Sequence, residues 1–260
     1  MTDFVTIQGE PLAVQLFEPA RHRADVVMIH GYTGSKEDFT EVGAYLSLRG
    51  YRVLTFDNRG QHESAHSARA DAYTVHSLAR DAIALAEHYG MERPHLLGHS
   101  FGGLVALRAV VSAPDLWQSL TMFCSGPGRI PDKPELEETL RVLPTLTMEA
   151  AWFTYRDRDS QQYSTYELLK KRWLASDRRS VLTHAEHLLG EPSLVPDVAA
   201  TGIRAHVVYG ANDDAWPLEM QDRMAADLRA MTTVIAGAGH CPNEDVPEYT
   251  AQVLADFWDR

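Results

Sequence analysis

The chain reads as an α/β protein: a mostly parallel, eight-stranded sheet flanked by helices, with one helical segment inserted into it. Three observations predict this. Apolar strand-like runs alternate with amphipathic helical runs along most of the 260 residues, an alternation that requires crossovers and therefore parallel pairing. A tight turn, Gly98-His99-Ser100-Phe101-Gly102-Gly103, joins the apolar run His95-Leu96-Leu97 to a helical stretch rich in Ala, Val and Leu. From Gly126 to Pro196 the sequence becomes proline-punctuated, helical and charge-rich, and strand signals return only at Ile203.

Each element can be justified in order. Residues 3–8 and 12–17 form an expected antiparallel hairpin around Gly9-Glu10-Pro11, where glycine and proline interrupt the run. Strands follow near 25–29, 51–56, 94–99 and 117–123, then at 205–209 and 232–235. Helices are expected near 36–49, with Phe39, Val42, Tyr45 and Leu46 on one face, and near 73–89, with Leu78, Ile83 and Leu85 on one face. The helix from Leu104 to Ser112 carries few charges, as befits one packed against a sheet. Asp245-x-Pro247 opens a last helix. Residues 1–125 and 197–260 thus form one core domain, and 126–196 an inserted helical cap.

Composition narrows the function classes. A chain of 260 residues, 45% of them hydrophobic, can bury a substantial core. Its formal charge of −12 argues against nucleic acid and anionic membrane surfaces as partners. No apolar run approaches the roughly 18 residues of a spanning helix, and Met1-Thr2-Asp3-Phe4 lacks the basic and apolar regions of a signal peptide. A soluble, cytoplasmic protein without membrane insertion is expected. Cys124 and Cys241 are too few for a disulfide framework and lack metal-ligand spacing, so both are expected to be free thiols. Nothing in the pattern assigns an oligomeric state.

The chemistry lies at strand ends. Small residues at 98 and 102 let the backbone turn tightly enough to present Ser100 at a helix N-terminus, where backbone N–H groups favour developing negative charge. Downstream, one strand ends in Gly210-Ala211-Asn212-Asp213-Asp214-Ala215-Trp216-Pro217 and the next in Gly237-Ala238-Gly239-His240. Upstream, Val26-Val27-Met28-Ile29 runs into His30-Gly31-Tyr32-Thr33-Gly34. Serine, acid and histidine follow in that order.

With these motifs and Asp57-x-Arg59-Gly60, the chain resembles the α/β-hydrolase superfamily over almost its whole length. The resemblance implies the α/β-hydrolase fold, with a lid at the position of the 126–196 insertion. It also implies Ser100 as nucleophile, His240 as its base and Asp213 as the orienting acid; Asp213, unlike Asp214, has the family spacing from Gly210 and Pro217. Some relatives carry the acid after the sixth strand, but that end reads Phe123-Cys124-Ser125. The backbone N–H groups of Tyr32 and Phe101 would form the oxyanion hole. Where relatives show Asp-x-Arg-Gly-x-Gly-x-Ser, His62 replaces the second glycine, which puts the shape of that loop in question. Arg59 is expected to be structural, and His30 and His99 to brace loops rather than titrate.

A serine at this turn predicts attack on an acyl carbon, whereas relatives that displace a leaving group at an sp³ carbon use aspartate there. No metal or organic cofactor is required, because hydrogen bonds and a histidine handle the charge. In the cap, Met148, Leu168 and Leu169 stand beside the aromatics Trp152, Phe153, Tyr155, Tyr163, Tyr166 and Trp173, most expected to pack lid helices together, with Trp152 or Phe153 reaching the substrate pocket alongside Tyr32 and Phe101. Lys170-Lys171-Arg172 and Arg178-Arg179 read as a solvated helix face, with attraction of a carboxylated substrate as the alternative. The expected activity is a serine esterase acting on a small or medium-sized, partly apolar ester. Carbon–carbon bond hydrolysis of vinylogous diketones, acyl transfer or perhydrolysis, and ligand reception on a hydrolase scaffold remain alternatives.

Overall fold

A computed structural model describes residues 2–161 and 164–260. The strands are β1 (Asp3–Ile7), β2 (Glu10–Phe17), β3 (Ala24–Ile29), β4 (Tyr51–Phe56), β5 (His95–His99), β6 (Ser119–Phe123), β7 (Arg204–Gly210) and β8 (Met231–Ile235). They form one sheet in the order β1-β2-β4-β3-β5-β6-β7-β8. β2 pairs antiparallel with β1 and β4, and every other pairing is parallel. The hairpin turns at Gln8 and Gly9, both at positive φ, one residue earlier than the glycine-proline cluster suggests. Pro11 is tolerated inside β2 because pairing with β4 begins only at Val14, and the Pro11 carbonyl is taken by the Ala65 N–H.

Helices α1 (Thr40–Leu48), α2 (Val75–His88) and α3 (Phe101–Ser112) follow β3, β4 and β5. The predicted helix at 36–49 is two pieces, a 3₁₀ turn over Lys36–Phe39 and then α1, because the chain reorients as it leaves the loop after β3. Between β6 and β7 lie α4 (Pro134–Val142), α5 (Met148–Ala151), a π-helical turn (Trp152–Arg156), α6 (Asp157–Ser160), α7 (Tyr166–Ala175), α8 (Arg178–Gly190) and α9 (Val195–Thr201). The C-terminal part adds α10 (Leu218–Asp227), α11 (Pro242–Asp245) and α12 (Pro247–Trp258).

β5 and β6 are buried along their whole length and β3 from Asp25 onward, so these strands show no alternation of buried and exposed residues. One face of the sheet packs under α2, α3, α9 and α10, and the other under α1 and α12. A third, smaller cluster lies within the inserted segment: Leu143, Ala151, Trp152, Trp173 and Val181, with Tyr32 packed against it from the core. β3 and β5 are neighbours while β4 lies beyond β3, so the strand order reverses between them. Clefts in parallel sheets open at the carboxyl ends of strands at such a reversal. The loops carrying Tyr32 and Ser100 leave from that point. No helix among the described residues is long and apolar enough to cross a membrane.

Candidate active site

Ser100 sits between β5 and α3 with φ 52° and ψ −120°, a conformation non-glycine residues adopt only when their surroundings enforce it. Those surroundings are close backbone. A methyl group at Gly102 would lie 2.6 Å from the His30 carbonyl oxygen and closer still to that of Ile29, and one at Gly98 would lie 2.6 Å from Gly102 carbon. The Ser100 N–H donates to the Phe123 carbonyl (3.0 Å), and the Ser125 hydroxyl donates to the Ser100 carbonyl (2.7 Å). β6 thereby pins the strained residue from below. The Phe101 N–H, first in α3, has no acceptor within the helix.

His240 and Asp213 come together from the loops after β8 and β7. His240 Nδ1–H donates to Asp213 Oδ1 at 2.9 Å. The same oxygen accepts the N–H groups of Ala215 (3.0 Å) and Trp216 (3.3 Å), and Oδ2 accepts Gln221 Nε2–H (2.9 Å). Burial pushes this carboxyl upward, but the hydrogen bonds and charge of His240 and the donors around it hold it below the usual carboxylate range. Asp213 is therefore anionic at neutral pH. With Nδ1 committed to Asp213, His240 presents Nε2 as its free basic nitrogen.

The two neighbouring histidines act as braces. His99 Nε2–H donates to the His240 carbonyl (2.9 Å), and its ring lies 4.9 Å from the His240 ring. His30 Nδ1–H donates to the Gly31 carbonyl (2.8 Å), while Nε2 accepts the Asn58 N–H (2.9 Å), tying the Tyr32 loop to the loop after β4. Burial lowers both to about 4, so both rings are neutral at physiological pH.

The alpha/beta hydrolase family profile matches residues 26–253, which span all four loops just described. The chain belongs to the alpha/beta hydrolase family. An uncharacterized hydrolase of Bacillus subtilis (strain 168), YugF, is 24% identical over 270 residues, covering 90% of each chain. Among solved structures, an esterase from Exiguobacterium antarcticum superposes with TM-score 0.84 at 18% identity over all of both chains. The enol-lactonase from Burkholderia xenovorans LB400 gives 0.84 at 18% identity, over 99% of this chain and 100% of its own.

Within this alpha/beta hydrolase, the Asp57–Ser64 loop is held without its second glycine. His62 takes φ 46°, the left-handed conformation a glycine would supply, and its N–H donates to Ser176 Oγ (3.2 Å). Arg59 is fully buried and bonds both oxygens of Asp81 (2.9 and 2.7 Å) and Glu10, a structural role. Asp57 accepts the Lys36 backbone N–H (2.8 Å) and its ammonium (3.1 Å). Two sets of possible metal donors occur among the described residues. In Glu37, His62 and Glu63, the Lys36 ammonium already bonds both glutamates at 2.8 Å and fills the place of a cation. In His99, Cys124 and His240, each imidazole is committed at one nitrogen, His99 Nε2 to the His240 carbonyl and His240 Nδ1 to Asp213, and burial, with Asp213 beside it, keeps the Cys124 thiol protonated. Both cysteines are free.

Above the core, a cavity of about 290 Å³ opens between Tyr32 and the inserted segment, bounded by Leu143, Ala151, Tyr155, Arg156 and Trp173. Neither Trp152 nor Phe153 lines it. Trp152 is 1% exposed inside the segment's own cluster, its indole N–H donating to Asp157 (3.2 Å), whereas Phe153 is 56% exposed with the Lys170 ammonium 5.1 Å over its ring. Phe101 stacks on His184 of α8 at 4.3 Å, a contact between residues 83 apart that no motif announces. Tyr163 lies outside the described residues. The basic cluster is not a freely solvated face: Arg172 pairs with the buried Asp38, Lys171 with Glu63 at 3.2 Å, and Arg179 donates to the carbonyls of Ser67 (3.0 Å) and Arg69 (2.9 Å). These residues dock the inserted helices onto the core.

Proposed function

We propose that the protein is a cofactor-independent serine hydrolase that cleaves a carboxylic ester of a small or medium-sized, partly apolar molecule, with residues 126–196 acting as its lid. The observation that carries the reading is the His240–Asp213 pair, held at 2.9 Å with Ala215, Trp216 and Gln221 also donating to the Asp213 carboxylate, at the same sheet end as the strained Ser100. Ser100 Oγ attacks the ester carbonyl while His240 Nε2 takes its proton, and the anionic Asp213 stabilises the imidazolium that forms. The carbonyl oxygen, now carrying the negative charge, is held by the N–H groups of Phe101 and Tyr32. Collapse expels the alcohol, which receives the proton from His240, and leaves an acyl group on Ser100. Water, deprotonated by the same nitrogen, then releases the acid. The two solved neighbours named above share the fold; the ester reading rests on the geometry.

The test is stopped-flow hydrolysis of p-nitrophenyl esters from acetate to decanoate by the intact protein and by Ser100→Ala. The expected result is turnover by the intact protein, with a burst of p-nitrophenol, and loss of at least about 10³-fold in the variant. Equal inertness across the series, or equal activity of the two proteins, overturns the reading.

A further inference from the structure

The inserted segment grips the Tyr32 loop as well as standing over it. Gly34 N–H donates to the Gly31 carbonyl (3.1 Å) and closes a turn with Tyr32 and Thr33 at its centre. Thr33 has φ 56°, the left-handed region that a β-branched residue avoids and that a turn normally gives to glycine. Such a conformation persists only where the surroundings hold it. Here the hold comes from the inserted segment. Arg156, at the end of the π-helical turn, donates from Nη2–H to Thr33 Oγ1 (2.7 Å), and its guanidinium lies 5.1 Å from the Trp173 ring centre. Tyr32 is held beside it. Its ring packs against both the core and the segment's own cluster, and its hydroxyl bonds that of Thr139 on α4, which in turn donates to the Glu135 carbonyl (2.8 Å). The near end of the turn is fixed by the core, since a methyl group at Gly31 would lie 3.1 Å from Ser100 Cβ.

We propose that Arg156 and Thr139 are positioning residues for the oxyanion hole: the inserted segment holds the Gly31–Gly34 turn in its strained form and so aims the Tyr32 N–H at the oxygen that takes up charge. The inference rests on the ester-hydrolase reading and names what gives one of its two donors a fixed direction. A backbone donor stabilises the transition state fully only when it is in place before the charge develops; one that must reorient loses much of that effect. Without the Arg156 bond, Thr33 gains by returning to negative φ, which opens the turn and frees the Tyr32 peptide. Arg156 and Thr139 lie on two separate pieces of the segment, the π-helical turn and α4, so both must be seated for one N–H to point correctly. The oxyanion gains more from this donor than the neutral ester carbonyl does, so the effect falls on kcat rather than on KM.

The test is a double-mutant cycle on p-nitrophenyl butyrate hydrolysis with Arg156→Gln and Thr33→Gly, singly and together, alongside Thr139→Val and inhibition by 1-butaneboronic acid. In the inhibited protein the Ser100 oxygen bonds to boron and its proton passes to His240, which leaves a tetrahedral anion with a boron-bound hydroxyl at the oxyanion position. Arg156→Gln should lower kcat at least about tenfold with KM within about threefold, and weaken the boronic acid by a similar factor. Glycine takes φ 56° unaided, so combined with Thr33→Gly the same substitution should cost less than about threefold. Thr139→Val should lower kcat several-fold at unchanged KM. The inference is overturned by an unchanged kcat in either Arg156→Gln or Thr139→Val, by a loss confined to KM or melting temperature, or by equal kcat losses with and without Thr33→Gly. Should Arg156→Gln not fold, Thr33→Val against Thr33→Gly decides: valine keeps the strain and loses the bond, so its kcat should lie at least about tenfold lower, and equal values overturn the inference. In all these cases turnover by the intact protein leaves the ester reading standing; an intact protein inert to both ester and boronic acid overturns that reading, and the inference with it.

Discussion

Asp213→Asn separates charge from geometry at the histidine. Oδ1 accepts two backbone N–H groups, from Ala215 at 3.0 Å and Trp216 at 3.3 Å, besides His240. An asparagine must therefore place its carbonyl oxygen there and its NH₂ where Oδ2 stood. That NH₂ meets the Gln221 amide nitrogen, but Gln221 Oε1 is buried without a partner, and a flip of its amide restores an acceptor. His240 keeps the same tautomer, and only the charge is lost. An ion pair with charge centres about 4 Å apart is worth about 4 kcal/mol at an effective dielectric constant of 20. The acylation rate should thus fall by roughly 10²–10³-fold, short of the roughly 10⁴-fold loss when an amide forces the wrong tautomer. Burst kinetics with p-nitrophenyl acetate measure the acylation step directly. A rate within threefold of the intact protein would refute the assignment, as would an equal loss in Asp214→Asn.

Two further perturbations test the scaffold. Gly102→Ala places a methyl against the Ile29 and His30 carbonyls, backbone that cannot yield, so it should reduce folded yield and melting temperature sharply, while Gly190→Ala, with nothing within 4 Å, should leave both unchanged by circular dichroism. The buried histidines His30, His95, His99 and His206 are all lowered from 6.5 to about 4 by burial. The unfolded chain takes up their protons near 6.5 and the folded one only near 4, so stability is complete above about pH 6.5 and lost as pH falls through that window. Each contributes about 3 kcal/mol, and Asp57, raised to about 6 by burial, offsets roughly one of them. Urea midpoints should fall steeply from pH 6.5 to 4; a flat profile would contradict the neutral, buried assignment.

The sheet, the Ser100 turn and the Asp213–His240 pair were legible because each is specified by neighbours in sequence: apolar runs set strands, and small residues at 98 and 102 permit one backbone path. Asp213 was separated from Asp214 by the spacing that the family resemblance implies, and the turn after β7 gives the Ala215 and Trp216 N–H groups to Asp213. His62 was less legible. Its left-handed backbone is enforced by Ser176, 114 residues away, and periodicity carries no record of such a partner.

The inserted segment was read least well, and the reason is one turn. In a regular α-helix, aromatic residues at 152, 153 and 155 would be assigned to faces by a 100° step per residue. The π-helical turn over Trp152–Arg156 packs more residues into each turn and so narrows that step, and Trp152 faces the inserted segment's own cluster, Phe153 faces solvent, and Arg156 reaches back to Thr33 on the loop after β3. The docking charges obey the same logic. Lys170, Lys171 and Arg172 look alike in sequence, yet they lie about 100° apart around α7, which sends Lys170 to the Phe153 and Tyr166 rings, Lys171 to Glu63 and Arg172 to the buried Asp38. Asp38 also accepts the Ser35 N–H, and its carbonyl accepts the Asn243 amide, three residues past His240. Removing Arg172 would leave a buried carboxylate without its ion-pair partner at the junction of the Tyr32 loop, the His240 loop and the inserted helices, so the seating of those helices and the shape of the candidate site are coupled through one aspartate.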